Sequence, residues 1–102
     1  MRFGIKAGVD LSNISPQMAI AHTITAEVMR EHGRGCRITS GRDGEHKHIT
    51  HPLGQALDFG IRNLTEEDSK VLAQDLQAAL KDQYDVVLEW DKAHIHVEFD
   101  PR

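Results

Sequence analysis

The spacing of apolar residues along the chain predicts two amphipathic helices. Ser15 followed by Pro16 forms an N-cap with a first-turn proline, and apolar side chains then recur at helical spacing until Gly33. The second helix begins after Thr65, which forms a capping box with Asp68. The residues that the two helices are expected to bury are Met18, Ala21, Ile24, Val28 and Met29 in the first, and Val71, Leu72, Leu76, Ala79 and Leu80 in the second.

Two short segments between these helices show the alternation that is typical of strands. In "CRITS", residues 36–40, the pattern places Cys36, Ile38 and Ser40 on one side and Arg37 and Thr39 on the other. Residues 55–61 carry Ala56, Leu57, Phe59 and Ile61 and predict a second strand. Residues 41–52 have no periodicity and are expected to form a loop.

The C-terminal segment "DVVLEWDKAHIHVEFD" predicts a hairpin with Asp91 and Lys92 near the turn. In that register Glu89 lies opposite His94 and Val87 opposite His96. Directly paired residues share a face of the sheet, so all four are expected on one face. The predicted order is helix, strand, strand, helix, strand, strand. It indicates an α+β domain, with two helices packed on a small, largely antiparallel sheet.

Length and composition narrow the classes of protein. The chain has 102 residues, which suits a single domain over 1–102, and a formal charge of -4 with no run of basic residues, so we expect no nucleic-acid partner. No stretch of about 18 apolar residues exists, and the N-terminus lacks the apolar core of a signal peptide, so we expect no membrane partner and synthesis in the cytoplasm. The single cysteine, Cys36, favours a reducing compartment.

Histidine is unevenly distributed, with five of the seven histidines in "EHKHITH" and "AHIHVEF". A catalytic zinc ion takes three protein ligands and keeps a fourth position for water. His51, Asp58 and one histidine of "HIH" would supply that set. Asp58 strengthens the hypothesis, because a carboxylate among apolar strand residues is costly to bury unless it is paired or binds a metal.

Zinc would lower the pKa of a bound water to about 7 and polarise a carbonyl group, but hydrolysis also needs a general base and a substrate contact. Glu89 or Asp91 could accept the proton, and Arg42 could hold an anionic group through its planar guanidinium. The histidine of the "HIH" segment that does not bind metal could donate a hydrogen bond to the developing oxyanion.

These motifs resemble those of the zinc D-alanyl-D-alanine carboxypeptidases and related phage and bacterial peptidoglycan peptidases, whose fold is shared by the hedgehog signalling domain. The family carries His-x-x-Gly-x-Ala-x-Asp and, near the C-terminus, His-x-His. The matching residues here are His51, Gly54, Ala56, Asp58, His94 and His96. The resemblance extends over roughly residues 15–99 and implies that His51, Asp58 and His96 bind zinc while His94 stands beside the metal.

The same resemblance implies a substrate and a setting. Segment "ITSGR" is similar to the family's strand and loop in which an arginine meets the substrate carboxylate, so Arg42, with Ser40, is expected to bind substrate. The expected activity is hydrolysis of a peptide bond in peptidoglycan stem peptides. A small domain without a wall-binding module resembles phage lysis or entry enzymes, which would reach the wall through lysis or delivery in a particle. We expect a monomer.

Two positions depart from the family pattern. Ile49 stands where family members often have a serine, which removes a polar contact. Ala93 stands where many family peptidases have the catalytic Asp or Glu, so that "KAHIH" is more similar to the hedgehog sequence. The base must then come from elsewhere. We expect Glu89, with Asp91 as the alternative, because the hairpin register puts Glu89 on the histidine face.

Other interpretations stay open from sequence alone. The chain could be a zinc-stabilised binding or structural module without turnover, which Ala93 favours. His94 and His96 could both bind the metal together with His51. Without any metal, His51 would be a loop residue before Pro52, and the two histidines of the hairpin would line the solvent-exposed face of an edge strand.

Overall fold

Five strands and two α-helices make up the domain, in a computed structural model that describes residues 4–12, 14–41 and 55–101. The elements in chain order are β1 (Gly4–Ile5), α1 (Pro16–Glu31), β2 (Arg37–Ser40), β3 (Ala56–Gly60), α2 (Glu66–Leu80), β4 (Tyr84–Glu89) and β5 (His94–Phe99). A 3₁₀ turn, Trp90–Lys92, joins the last two strands. The structure confirms an α+β domain with two helices and a mostly antiparallel sheet.

The sheet has the order β1-β2-β3-β5-β4 and is mixed, because β1 pairs parallel to β2 while the other neighbours are antiparallel. The predicted element order lacked β1. This strand has two residues, which are too few to show an alternating pattern, and it is held by backbone bonds from Gly4 N to Cys36 O and from Lys6 N to Ile38 O.

Both helices begin at the expected caps. The Ser15 hydroxyl accepts a hydrogen bond from the Met18 backbone N–H at 3.2 Å, and the Thr65 hydroxyl accepts one from Asp68 N–H at 3.1 Å. These bonds satisfy backbone donors that have no partner within the first turn of a helix. Helix α1 ends just before Gly33, whose φ of 74° is the left-handed conformation that glycine tolerates.

The core lies between the helices and one face of the sheet. Strands β3 and β5 contribute Leu57, Phe59, Ile95 and Val97, and the helices contribute Met18, Ala21, Val28, Met29, Leu72, Leu76 and Leu80, all buried. Ile24 and Ala79 pack against this cluster with partial burial. The prediction was wrong for Val71, which is 49% exposed because it lies beyond the edge of the α2 stripe. Among the described residues, no helix is both long enough and apolar enough to cross a bilayer.

An irregularity near the end of β2 changes the sheet face to which its side chains point. Ile38 pairs with Phe59, whereas Ser40 pairs with Asp58, and the register shifts between the two β2 residues. Phe59 and Asp58 are consecutive and therefore point to opposite faces. The expectation that Ser40 shares a face with Ile38 is wrong, because the irregularity turns Ser40 to the face that carries Asp58.

Candidate metal centre

The sheet face opposite the helices carries a row of acidic and imidazole side chains. Asp58 of β3 pairs with His96 of β5, and on the other side of β5 Val87 pairs with His96 and Glu89 with His94. Paired residues share a face, so the register brings these side chains together. The predicted hairpin register is confirmed at both pairs, and Glu89 lies on the histidine face as expected.

Asp58 lies between the two histidine rings. Its Oδ1 is 3.0 Å from His96 Nδ1, and its Oδ2 is 3.6 Å from His94 Nε2. The Asp58 side chain is 3% exposed, although the strand that carries it is otherwise apolar. Burying a carboxylate is costly unless positive charge and hydrogen-bond donors compensate. His96 Nδ1 is at hydrogen-bond distance from Asp58, whereas His94 is only within ion-pair distance.

Glu89 completes one end of this row. Its Oε1 is 2.9 Å from His94 Nε2, and its Oε2 accepts a hydrogen bond from Lys92 Nζ at 3.4 Å. Burial alone would raise the pKa of Glu89, but the hydrogen bond and charge of His94, followed by the charge of Lys92, lower this pKa below its ordinary value. Glu89 is therefore ionised at neutral pH, as a metal ligand or a general base must be.

His96 occupies the other end, with a carboxylate at each ring nitrogen. Its Nδ1 faces Asp58, and its Nε2 is 2.9 Å from Glu98 Oε1. Burial lowers the pKa of His96, whereas the hydrogen bonds and charges of Asp58 and Glu98 raise it, and the net direction is upward. The row therefore runs Glu89, His94, Asp58, His96, Glu98, with carboxylates and imidazoles alternating.

Three of these residues could together hold a metal ion. Ligand atoms of Asp58, Glu89 and His94 all lie within 4.8 Å of one another. One imidazole nitrogen and two carboxylate oxygens belong to the ligand types that zinc accepts, at about 2.0–2.2 Å from the ion. The buried Asp58 also fits a divalent cation, because its negative charge needs compensation.

This group overlaps only partly with the ligand set expected from sequence. Asp58 is common to both, whereas Glu89 and His94 were expected to be the base and a neighbour of the metal. His96 contacts Asp58 directly at the edge of the group. Sequence reasoning missed Glu98, although its position two residues after His96 on one strand would have placed it on the same face.

The remaining predicted site residues have different placements. His51 and Arg42 lie outside the described residues. Ser40 is paired with Asp58 across β2 and β3, so it is next to the metal group in the sheet. Asp91 is exposed in the 3₁₀ turn.

No family model, curated protein or solved structure matches this chain. The resemblance to the zinc peptidases therefore rests on the motif residues and their order alone. The geometry adds an observation that is independent of the motif, namely a buried carboxylate with an imidazole on each side and a second carboxylate within reach of one ring.

The row is most buried at its middle and more accessible towards both ends. The side chains of Asp58 and His96 are each 3% exposed, whereas those of Glu98, His94 and Glu89 are 16%, 17% and 26% exposed. A cation held by Asp58, Glu89 and His94 would thus be anchored from the buried side, at Asp58. Within that group, the residues more available to a substrate or a water molecule are His94 and Glu89.

Proposed function

We propose that this protein is a zinc-dependent metallopeptidase that hydrolyses a peptide bond in bacterial peptidoglycan stem peptides, as a D-alanyl-D-alanine carboxypeptidase or an endolysin-type endopeptidase. The observation that carries the proposal is the position of Asp58. This motif aspartate is buried between the two histidines of the His-x-His motif, with the ligand atoms of His94 and Glu89 within 4.8 Å of its own.

Asp58 is the central zinc ligand in this proposal. The resemblance implies His51, Asp58 and His96 as ligands, and the geometry supports a second candidate set, because ligand atoms of Asp58, Glu89 and His94 lie close enough together to hold a metal ion. Both sets contain nitrogen and oxygen donors that zinc accepts. When bound, zinc would lower the pKa of a water molecule and polarise the scissile carbonyl.

Glu89 is the proposed general base when the ligands are those of the resemblance. It is ionised at neutral pH, because its pKa is lowered, and its partly exposed carboxylate can accept a proton from an incoming water molecule. His94 holds Glu89 through the 2.9 Å contact and can donate a hydrogen bond to an oxyanion. Asp91 is the alternative base.

Substrate recognition is assigned to Arg42 and Ser40, as the resemblance implies. A guanidinium binds a carboxylate in a bidentate manner, which suits a peptide with a free carboxyl group near the scissile bond. The proposed enzyme is a monomer that reaches the wall through lysis or particle delivery.

A second function of another class is a zinc-stabilised binding module without catalysis. Ala93 favours it, because this position supplies no carboxylate where many similar peptidases have one. Ala93 is exposed and adopts a left-handed conformation with φ of 56°, at the end of the turn that precedes His94. In such a module Glu89 would be a third ligand instead of a base.

The deciding experiment is mass spectrometry of muropeptides after incubation of purified peptidoglycan with the zinc-loaded protein. The peptidase proposal expects release of D-alanine or cleavage within the stem peptide. The control variant Glu31→Gln, which changes an exposed residue at the end of α1, should retain this cleavage. It also expects loss of cleavage in Glu89→Gln with zinc retained. Zinc binding without any cleavage by the wild-type protein would establish the binding module. Unchanged cleavage in both Glu89→Gln and Asp91→Asn would contradict the assignment of the base.

A further inference from the structure

We propose that Glu98 is a positioning residue of the metal centre, holding the His96 ring so that Nδ1 is the nitrogen presented to Asp58 and to a bound cation. This inference rests on the proposed metal centre, and it concerns a residue outside both candidate ligand sets. The contact that carries it joins Glu98 Oε1 to His96 Nε2 at 2.9 Å.

The sheet register explains why Glu98 reaches His96. The two residues are separated by one position on β5 and therefore lie on the same face. Strand β5 is an interior strand between β3 and β4, so its residues have neighbours on both sides. The Glu98 side chain is 16% exposed, and a carboxylate that is mostly removed from water needs a donor, which His96 provides.

The chemistry of imidazole gives this contact a function. A neutral ring has one N–H and one nitrogen that can accept a hydrogen bond or bind a metal. A cation at Nδ1 takes the place of a proton there, and the ring keeps its N–H at Nε2. Glu98 Oε1 lies 2.9 Å from Nε2 and accepts from that N–H, so the ring stays oriented with Nδ1 towards Asp58. Without Glu98 the ring loses one of the contacts that fix this orientation.

Carboxylates bonded to the second nitrogen of a metal-binding histidine fix its orientation and raise its basicity, and removing them typically costs about 10–100-fold in metal affinity. The effect passes through the ring and does not require Glu98 to touch the ion. His96 is 3% exposed on its side chain, so in the wild type its Nε2 is bonded to Glu98 and is largely shielded from solvent.

The test compares Glu98→Ala, Glu98→Gln and Asp85→Asn for zinc affinity, measured by competition with a chelator. Asp85 is the matched control, because it lies directly opposite Glu98 on β4 and carries the same charge. We expect Glu98→Ala to weaken zinc binding about 10–100-fold. The Glu98→Gln variant should lose less zinc affinity, because its amide oxygen can still accept a hydrogen bond from Nε2–H. The zinc affinity of Asp85→Asn should stay within about twofold of the wild-type value.

A second readout is the nitrogen-15 NMR spectrum of His96 in the zinc-loaded protein. We expect a wild-type ring with zinc at Nδ1 and a hydrogen-bonded proton on Nε2, a changed Nε2 signal in Glu98→Ala, and a signal closer to the wild type in Glu98→Gln. An unchanged His96 spectrum with unchanged zinc affinity in Glu98→Ala would overturn the proposal, and so would equal weakening in Asp85→Asn, which would show a general charge effect. Failure of the wild type to cleave peptidoglycan would contradict only the peptidase proposal, because neither readout depends on turnover.

Discussion

Asp58 and His96 lie directly opposite each other on β3 and β5, with Asp58 Oδ1 3.0 Å from His96 Nδ1 and both side chains 3% exposed. A buried pair of this kind is expensive to form, because both groups lose their hydration. The same sheet face carries Glu89 and Glu98, so three carboxylates share two imidazoles and, at Glu89, the ammonium of Lys92. While the imidazoles are neutral this row has a net negative charge, which a divalent cation bound beside Asp58 would offset.

Zinc is therefore expected to stabilise the folded protein. A ligand that binds only the folded state, present at a hundred times its Kd, stabilises by about 2.7 kcal/mol. In a domain of this size each kcal/mol shifts the melting temperature by roughly 4–8 °C. Differential scanning fluorimetry of chelator-treated protein, with and without added zinc, should show a rise of about 10 °C or more.

The control for the zinc effect is Asp58→Asn, which keeps the shape of the side chain but removes its charge. This variant should lose most of the zinc-dependent rise in melting temperature, whereas Glu31→Gln should keep it. An equal rise in Asp58→Asn would show that zinc binds elsewhere. No rise in the wild type would contradict the metal centre itself.

The packing of the core leads to a prediction about stability that does not depend on any metal. Leu76 on α2 is fully buried, and Leu76→Ala should lower the free energy of unfolding by about 2–5 kcal/mol through lost apolar contacts and a cavity. Val71 lies five residues earlier on the same helix and is 49% exposed. Val71→Ala should therefore change the free energy of unfolding by no more than about 0.5 kcal/mol. Urea unfolding in the presence of chelator measures both. Equal losses would contradict the packing of α2.

The helices and the hairpin register were predictable because each depends on a local pattern. Ser15 and Thr65 cap the helices through contacts within three residues, and the pairing of Glu89 with His94 follows from the length of a short turn. Alternation then placed the histidines and Glu89 on one face. A sequence pattern is sufficient wherever the interacting positions are close along the chain.

Features that depend on distant contacts were not predictable. Strand β1 has two residues and exists only through its bonds to β2, and Ser40 changes face because of an irregularity that the "CRITS" alternation does not reveal. The grouping of Asp58 with Glu89 and His94 requires the order in which β3, β5 and β4 pair. The motif marked the right aspartate, but tertiary pairing determines which groups surround it.

Cys36 should be chemically inert in the folded protein. It is buried, and burial raises the pKa of its thiol to about 11, with only partial opposition from the charge of Arg34. The thiolate is the reactive form, so at about pH 8 only about one molecule in a thousand is ready to react. A disulfide reagent should therefore modify Cys36 slowly in native protein and rapidly in guanidinium. Rapid reaction of the native protein would contradict the burial of this side chain.

His22 on α1 is expected to make the protein less stable at mildly acidic pH. Its ring packs near Phe59, with centroids 6.1 Å apart, and burial lowers its pKa below the ordinary value of 6.5. The unfolded chain therefore binds a proton at a higher pH than the folded protein does. The contribution of neutral His22 is complete above 6.5 and is lost as the pH falls from 6.5 towards the lowered folded pKa.

The variant His22→Gln isolates this effect, because glutamine is a good helix former and does not titrate. Urea unfolding of both proteins with chelator, from about pH 7.5 down to about pH 5, gives the free energy of unfolding across the titration of histidine. Other titrating groups contribute equally to both proteins, so the difference between the curves belongs to His22. The wild type should lose more stability than the variant as the pH falls. Parallel curves would show that the ring titrates alike in the folded and unfolded chain, and a steeper loss in the variant would reverse the sign of the pKa shift.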